Sequence, residues 1–258
     1  MFVKKYKSKT LRGKLRVNRY LSSTPQLKHI VPKTVAFSKN NLIKMARKYK
    51  SLYIKPDIGS HGKGIFKMRR ASKGYEMYFI EHKKQKINLL PSVRSSHRFV
   101  VERKKGKMII QRGIVLDKLS GQPYDIRAMV QRKRGGAWTC TGIMAKVGKG
   151  NKIVTNVYQG GKSILFKELL NQQGYSRNER EQITQSLTNK ALAVARVLSS
   201  RKSGMHEMGI DFAYDRNKRL WILEVNSNHP QFYPFKKLDR SMYERMRSYA
   251  KGYGRFDD

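Results

Sequence analysis

Two short segments near the C-terminal end, GIDFAY (Gly209 to Tyr214) and LWILEVN (Leu220 to Asn226), constrain this chain more than any other part of it. Each reads as a strand, and the DRNK stretch between them predicts a hairpin turn that sets Asp211 opposite the neighbourhood of Glu224. Side chains alternate along a strand, so Glu224 and Asn226 share a face. Two carboxylates and an amide oxygen are hard ligands, suited to Mg²⁺ or Mn²⁺ that also meets phosphate oxygens. An ordinary hairpin with acids on its solvent face has the same spelling. Against it stand the apolar neighbours Ile210, Phe212, Ile222, Leu223 and Val225 and the scarcity of acids elsewhere. Acids gathered without a cation repel one another, so the pattern predicts a ligand-free site that Glu224→Gln would relieve.

The 258 residues carry 57 Lys and Arg against 17 Asp and Glu, a formal net charge of +40. Such a field attracts polyanions through salt-sensitive contacts without naming one. Nucleic acid, an anionic cell-wall polymer, an acidic protein surface and a membrane face all satisfy it. A hydrophobic fraction of 39% excludes a disordered tail and supports one large core or two small ones. The single cysteine, Cys140, excludes an internal disulfide and a zinc cluster; within WTCTGIMA it reads as a buried structural thiol. No apolar run reaches the ~20 residues of a membrane-spanning helix. The basic start, MFVKKYKSKT, has no hydrophobic stretch behind it, so the expectation is a soluble cytoplasmic protein without a secretory leader.

Residues 1–29 form a basic lead-in, where Leu11, Leu15 and Tyr20 are spaced for a partly helical stretch packed on something. Ser38 predicts a cap for a helix to about Lys50, with Leu42, Met45, Ala46 and Tyr49 inward. SLYIKPD and GIFKMRR read as strands joined by a glycine-rich loop, and residues 74–115 as several short strands. YDIRAMVQRK and AWTCTGIMAKVG form an antiparallel pair turning at Gly135 and Gly136. Ser176 and Glu179 make a capping box for a helix to about Arg201 that buries Ile183, Leu187, Ala191 and Val194. The stretch from Phe235 to Asp258 is basic and helical in part.

KPDIGSHGKGI surrounds Ser60, His61 and Lys63 with Gly59, Gly62 and Gly64. Glycines let backbone approach a phosphate, and Lys55 and Lys63 supply charge. The spacing matches neither common phosphate-loop pattern, so it reads as a flap between antiparallel strands, or as a glycine hairpin with no ligand. Asp125 and Arg127 alternate onto one face, with Lys146 on the partner strand. Basic groups beside acids suit an anionic substrate or a transferring phosphate.

In order along the chain, HIVPKTVAF, LYIKPDIGSHGKGI, IIQRGIVL, YDIRAMVQ, GIMAKVG, NVYQGG and GIDFAYDRNKRLWILEVNSNHP resemble the ATP-grasp superfamily. Within it they are most similar to the YheC/YheD endospore-coat-associated proteins of spore-forming bacteria. The resemblance implies an α+β ATP-grasp fold, two α+β subdomains whose antiparallel sheets grip ATP between them. It divides the chain into the lead-in (1–29), an ATP-grasp domain (30–235) and a basic tail (236–258). It implies that Lys55 holds ATP phosphates and that Gly59, Ser60, Gly62, Lys63 and Gly64 form the flap. Gln111, Arg112, Gly113 and Ile114 would be the adenine hinge, with Asp117 a ribose contact. Asp211, Glu224 and Asn226 would bind Mg²⁺ (or Mn²⁺), and Arg127 and Lys146 would face the γ-phosphate or an acyl-phosphate.

The implied activity is an ATP- and Mg-dependent carboxylate–amine ligase, its carboxylate and amine unnamed. The alternative is a non-catalytic ATP-binding protein of the spore coat or envelope, holding polyanions through its basic surface. A nucleic-acid-binding protein is a third class, for which no recognition module is visible. Two departures from the family pattern bear on substrate choice. The family's amino-terminal domain is reduced here to the lead-in, and Lys146 stands where relatives often carry arginine, which keeps charge but loses the two-pronged grip.

Overall fold

The computed structural model describes residues 4–59, 62, 64–82, 84–148, 150 and 161–257. Helix α1 (Lys14–Ser22) leads into β1 (Thr34–Ala36) and α2 (Lys39–Lys48). Strands β2 (Ser51–Pro56), β3 (Phe66–Ala71), β4 (Gly74–Glu81) and β5 (Lys84–Leu90) follow, then α3 (Val93–Arg103) and β6 (Met108–Arg112). These strands make one antiparallel sheet in the order β1-β6-β2-β3-β4-β5. Alternation divides its faces: Leu52 and Ile54 point to a core shared with Phe66, Met68, Met77, Phe79 and the inner sides of α2 and α3. Tyr53 and Lys55 therefore point the other way.

Helix α3 lies where short strands alone were expected. Its capping box uses Ser92 with Ser95 in place of the acid or amide usual at the third position, and it buries Phe99 and Val100 about one turn after Ser96. Helix α2 starts at its expected cap, where the Ser38 side chain accepts from the Asn41 amide.

The second sheet holds β7 (Lys118–Leu119), β8 (Gln122–Gln131), β9 (Thr139–Val147), β10 (Lys162–Leu165), β11 (Glu207–Tyr214) and β12 (Leu220–Asn226). Its order is β10-β9-β8-β11-β12, with β7 paired to β8. Helices α4 (Phe166–Gln172) and α5 (Arg177–Arg201) cover one face. There Leu187, Ala191, Val194 and Leu198 meet Ile126, Ala128, Ile143, Ile210 and Phe212. The expected capping box opens α5.

Both ends of the chain are built into this body. Leu11, Val17 and Leu21 join the core under α5, while Leu15 and Tyr20 lie only partly buried. Helices α6 (Tyr233–Lys236) and α7 (Arg240–Lys251) place Phe235, Tyr243 and Met246 over Met129 and Met144 on the opposite face. The covering of that face stops short of Asp125, Arg127, Lys146 and Asp211, which open into the space between the sheets. Cys140 is half-buried, and burial pushes its thiol up to about 11. No helix among the described residues is long and apolar enough to cross a membrane.

Candidate active site

The two sheets enclose a cleft of about 1800 Å³. The expected hairpin forms its floor: β11 and β12 pair with Asp211 opposite Glu224 and a bulge just after Asp211. Strand β8 brings Arg127 beside Asp211, and β9 brings Lys146 beside Asp125. Lys55, Lys14, Gln111, Arg112 and Ile114 line the same cleft, as do Gly59 and Gly62.

Arg127 holds Asp211 with two parallel bonds, Nε to Oδ1 at 2.7 Å and Nη2 to Oδ2 at 2.8 Å. Lys146 bridges two acids, 3.0 Å from Asp211 Oδ1 and 2.6 Å from Asp125 Oδ1. Asn226 Nδ2 donates to Asp211 Oδ2 at 3.2 Å. Burial alone would raise the Asp211 carboxyl, but the Arg127 and Lys146 charges and their hydrogen bonds outweigh it and hold it below the usual carboxylate range. Burial likewise opposes the charge on Lys146, and Asp125 with Asp211 overcomes it, so its amine titrates above the ordinary lysine value.

Glu224 has a cation too: Lys14 Nζ lies 3.3 Å from its Oε1. The acids are thus interleaved with cations, which overturns the expectation of a self-repelling cluster that Glu224→Gln would relieve. Lys14 is the site residue that sequence reasoning missed. It opens α1, its Nζ also donates to the Gly59 carbonyl at 3.0 Å, and its backbone amide donates to the Asp57 carbonyl at 3.0 Å. The Asp57 carboxylate accepts from the Leu15 amide at 2.8 Å, fastening α1 to the root of the flap.

Lys55 is almost fully buried, with its Nζ 3.5 Å from the Leu223 carbonyl. Burial pulls its amine below the ordinary lysine value; nearby Glu224 opposes that shift and Lys14 adds to it. A desolvated cation aimed into a cleft stabilises an anion placed beside it. In the glycine-rich loop between β2 and β3, Gly62 and Gly64 have φ of +70° and +69°, a backbone that side chains resist. Ser60, His61 and Lys63 lie outside the described residues.

In the segment expected to be the hinge, Gln111 Nε2 donates to Thr34 Oγ1 at 3.2 Å, and the Gly113 amide to the Ser51 carbonyl at 2.9 Å. The Arg112 guanidinium lies over the rings of Tyr49 and Trp221, 5.4 and 4.8 Å from their centres. Asp117 is not brought into the cleft. Its Oδ2 accepts from Tyr124, Gln173 and Lys218 at 2.7, 3.0 and 2.6 Å, which occupies that oxygen.

Among the described residues, no three His, Cys, Asp or Glu side chains gather to hold a metal alone. Asp211, Glu224 and Asn226 supply two carboxylates and an amide, a donor set that fits a magnesium ion completed by phosphate oxygens of a ligand. Lys14 and Lys55 line the same cleft.

Gly209 shows how tightly the floor is packed. A methyl group there would lie 3.0 Å from Arg127 Nη1 and 3.2 Å from Pro230 Cβ. Gly209→Ala is expected to cost about 1–3 kcal/mol through overpacking, read as a lower urea midpoint with an unchanged slope.

A model of the YheC/D-like ATP-grasp family matches residues 4–256. The endospore coat-associated protein YheD of Bacillus subtilis (strain 168) is 29% identical over 226 residues, covering 85% of this chain and 49% of YheD. YheC of the same organism is 19% identical over 198 residues, covering 76% of this chain and 54% of YheC. The chain spans about half the length of these curated relatives. Among solved structures, the C-terminal domain of K. lactis Pby1, an ATP-grasp enzyme interacting with the mRNA decapping enzyme Dcp2, superposes with a TM-score of 0.52 at 14% identity, over 89% of this chain and 67% of that one. The ADP complex of N5-carboxyaminoimidazole ribonucleotide synthetase gives 0.53 at 12% identity, over 93% and 52%. At those identities the likeness is one of fold. With the two facing antiparallel sheets and a family match over nearly its whole length, the chain belongs to the YheC/D-like ATP-grasp family.

Proposed function

We propose that this chain binds ATP with Mg²⁺ and works as a carboxylate–amine ligase. One observation carries the reading: Lys14 from α1 and Lys55 from β2 line the same cleft as Asp211, Glu224 and Asn226, with Lys14 paired to Glu224 and Arg127 and Lys146 at Asp211. A bound divalent ion would be held by Asp211, Glu224 and Asn226 and would supply charge neutralisation at the phosphates. Lys14 and Lys55 would bind the phosphate oxygens, and the Gly59–Gly64 flap would exclude water above them. A substrate carboxylate oxygen would attack the γ-phosphorus and release ADP. The amine would then attack the acyl carbon, losing a proton and displacing phosphate. Arg127 and Lys146 would neutralise charge that grows on the transferring group.

The test is calorimetry on purified variants. Lys55→Ala is expected to weaken Mg-ATP binding by at least about tenfold, the loss of one buried charge-assisted contact of about 1.5–3 kcal/mol. Glu224→Gln is expected to weaken ATP binding only when Mg²⁺ is present. Equal Mg-ATP affinity in Lys55→Ala and the parent would remove the nucleotide from the cleft.

A second reading has its own support. Arg127 already satisfies both Asp211 oxygens without any ligand, and the two curated relatives are named endospore coat-associated proteins. A non-catalytic ATP-binding protein of the coat or envelope, held to polyanions by its +40 charge, fits those facts. Mg-ATP binding without turnover across a panel of amino acids and peptides would select it over the ligase.

A further inference from the structure

A dense polar cluster lies further along β11, on the same strand face as the proposed metal ligand Asp211. Glu207, on β11 four residues before Asp211, is fully buried and is met from both ends of the chain. Tyr6 Oη donates to its Oε1 at 2.5 Å, and Lys4 Nζ lies 3.2 Å from the same oxygen. Tyr253 Oη and Arg255 Nη1 donate to Oε2 at 3.0 and 2.6 Å.

Three of those four side chains reach on to Ser227–Pro230, the segment that continues directly from Asn226. Lys4 donates to the Ser227 carbonyl at 2.7 Å and Arg255 to the Pro230 carbonyl at 3.0 Å. Tyr6 Oη, its proton given to Glu207, lies 3.1 Å from His229 Nδ1 and accepts from it; Nε2 then faces Arg255 Nη2 at 3.4 Å. The Leu11 amide adds a bond to Ser227 Oγ at 3.1 Å. His229 has φ +55°, left-handed for a residue that also precedes a proline. Such a conformation persists where the surroundings over-determine it.

We propose that Tyr6 and Arg255 are positioning residues. Acting through Glu207 and His229, they hold Ser227–Pro230 in its left-handed bend and so set Asn226 against Asp211 for the metal–phosphate group. This rests on the Mg-ATP reading above. A cluster that only stabilises the fold would lower the melting temperature and leave the Mg²⁺ dependence of ATP binding as it was.

The test uses the full chain and Tyr6→Phe, which keeps the ring and removes the hydroxyl. In hydrogen–deuterium exchange of the ligand-free protein, the peptide covering residues 226–231 is expected to exchange about tenfold faster while α5 is unchanged, the signature of local opening. By calorimetry, the Mg-dependent part of ATP affinity is expected to fall about tenfold, as for partners that orient metal ligands, with Mg-free ATP affinity unaltered. His229→Asn tolerates the left-handed backbone, keeps the Glu207 contacts and should give the same two results if Tyr6→Phe does not fold. Unchanged exchange at 226–231 overturns the positioning role. So does faster exchange with an unaltered Mg²⁺ dependence in a parent that binds Mg-ATP. A parent without Mg-dependent ATP binding removes the functional reading instead, and the exchange result then decides the clasp on its own.

Discussion

Asp211→Asn will destabilise the ligand-free protein by about 3–5 kcal/mol, the cost of leaving buried Arg127 without its paired carboxylate and Lys146 with Asp125 alone. Arg127 and Lys146 both converge on this carboxylate, and their side chains are only 15% and 14% exposed. The asparagine keeps the shape but offers one acceptor oxygen where Arg127 now grips two. Glu224→Gln should cost far less, about 0–1 kcal/mol, because Lys14 and Glu224 remain partly open to water. The sign for both is a loss.

Acid gives a second test of the same charge. The Asp211 carboxyl titrates below its unfolded value, so its stabilisation is present above about pH 3.9 and is lost as pH falls through the folded value. The parent should therefore lose urea resistance steeply below about pH 4, and Asp211→Asn should lose less over that range. A variant at least as stable as the parent at pH 7 would mean that Arg127 and Lys146 find other partners.

Much of this site was legible because its parts are local. The hairpin of Asp211 and Glu224, the alternation that puts Asp125 and Arg127 together, and the glycines between two strands each follow from a few adjacent residues. The partners were not legible, because they come from elements distant in sequence. Arg127 and Asp211 are 84 residues apart, and Lys14 reaches Glu224 across nearly the whole chain. Among so many lysines, nothing local distinguishes Lys14 from its solvated neighbours. Helix α3 escaped for another reason, since Ser95 is a weaker cue than the acid a capping box usually shows. Asp117 looked available for a ligand only because Tyr124, Gln173 and Lys218 arrive from three other segments.

Glu207→Gln is expected to be as damaging as the change at Asp211, at about 3–5 kcal/mol, though no ligand is proposed to touch it. Its carboxylate is the counter-charge for Arg255, which is fully enclosed, and for Lys4, whose amine burial pulls below the ordinary value against the attraction of Glu207. Water cannot reach in to compensate, so the guanidinium must rely on the half-exposed Asp257 carboxylate at 3.5 Å or drag the C-terminal segment out of the core. Tyr6→Phe, which removes one hydroxyl and no charge, should cost only about 1–2 kcal/mol. Pairing Glu207→Gln with Arg255→Met separates the two contributions. If the single change hurts by stranding the cation, the double variant should recover part of the loss, with a coupling of about 0.5–3 kcal/mol in urea unfolding. Additive losses would mean that Glu207 acts through the tyrosine hydroxyls instead. In either case the ends of the chain answer to the same carboxylate, so damage to Glu207 should loosen residues 4–11 and 253–257 together in hydrogen exchange.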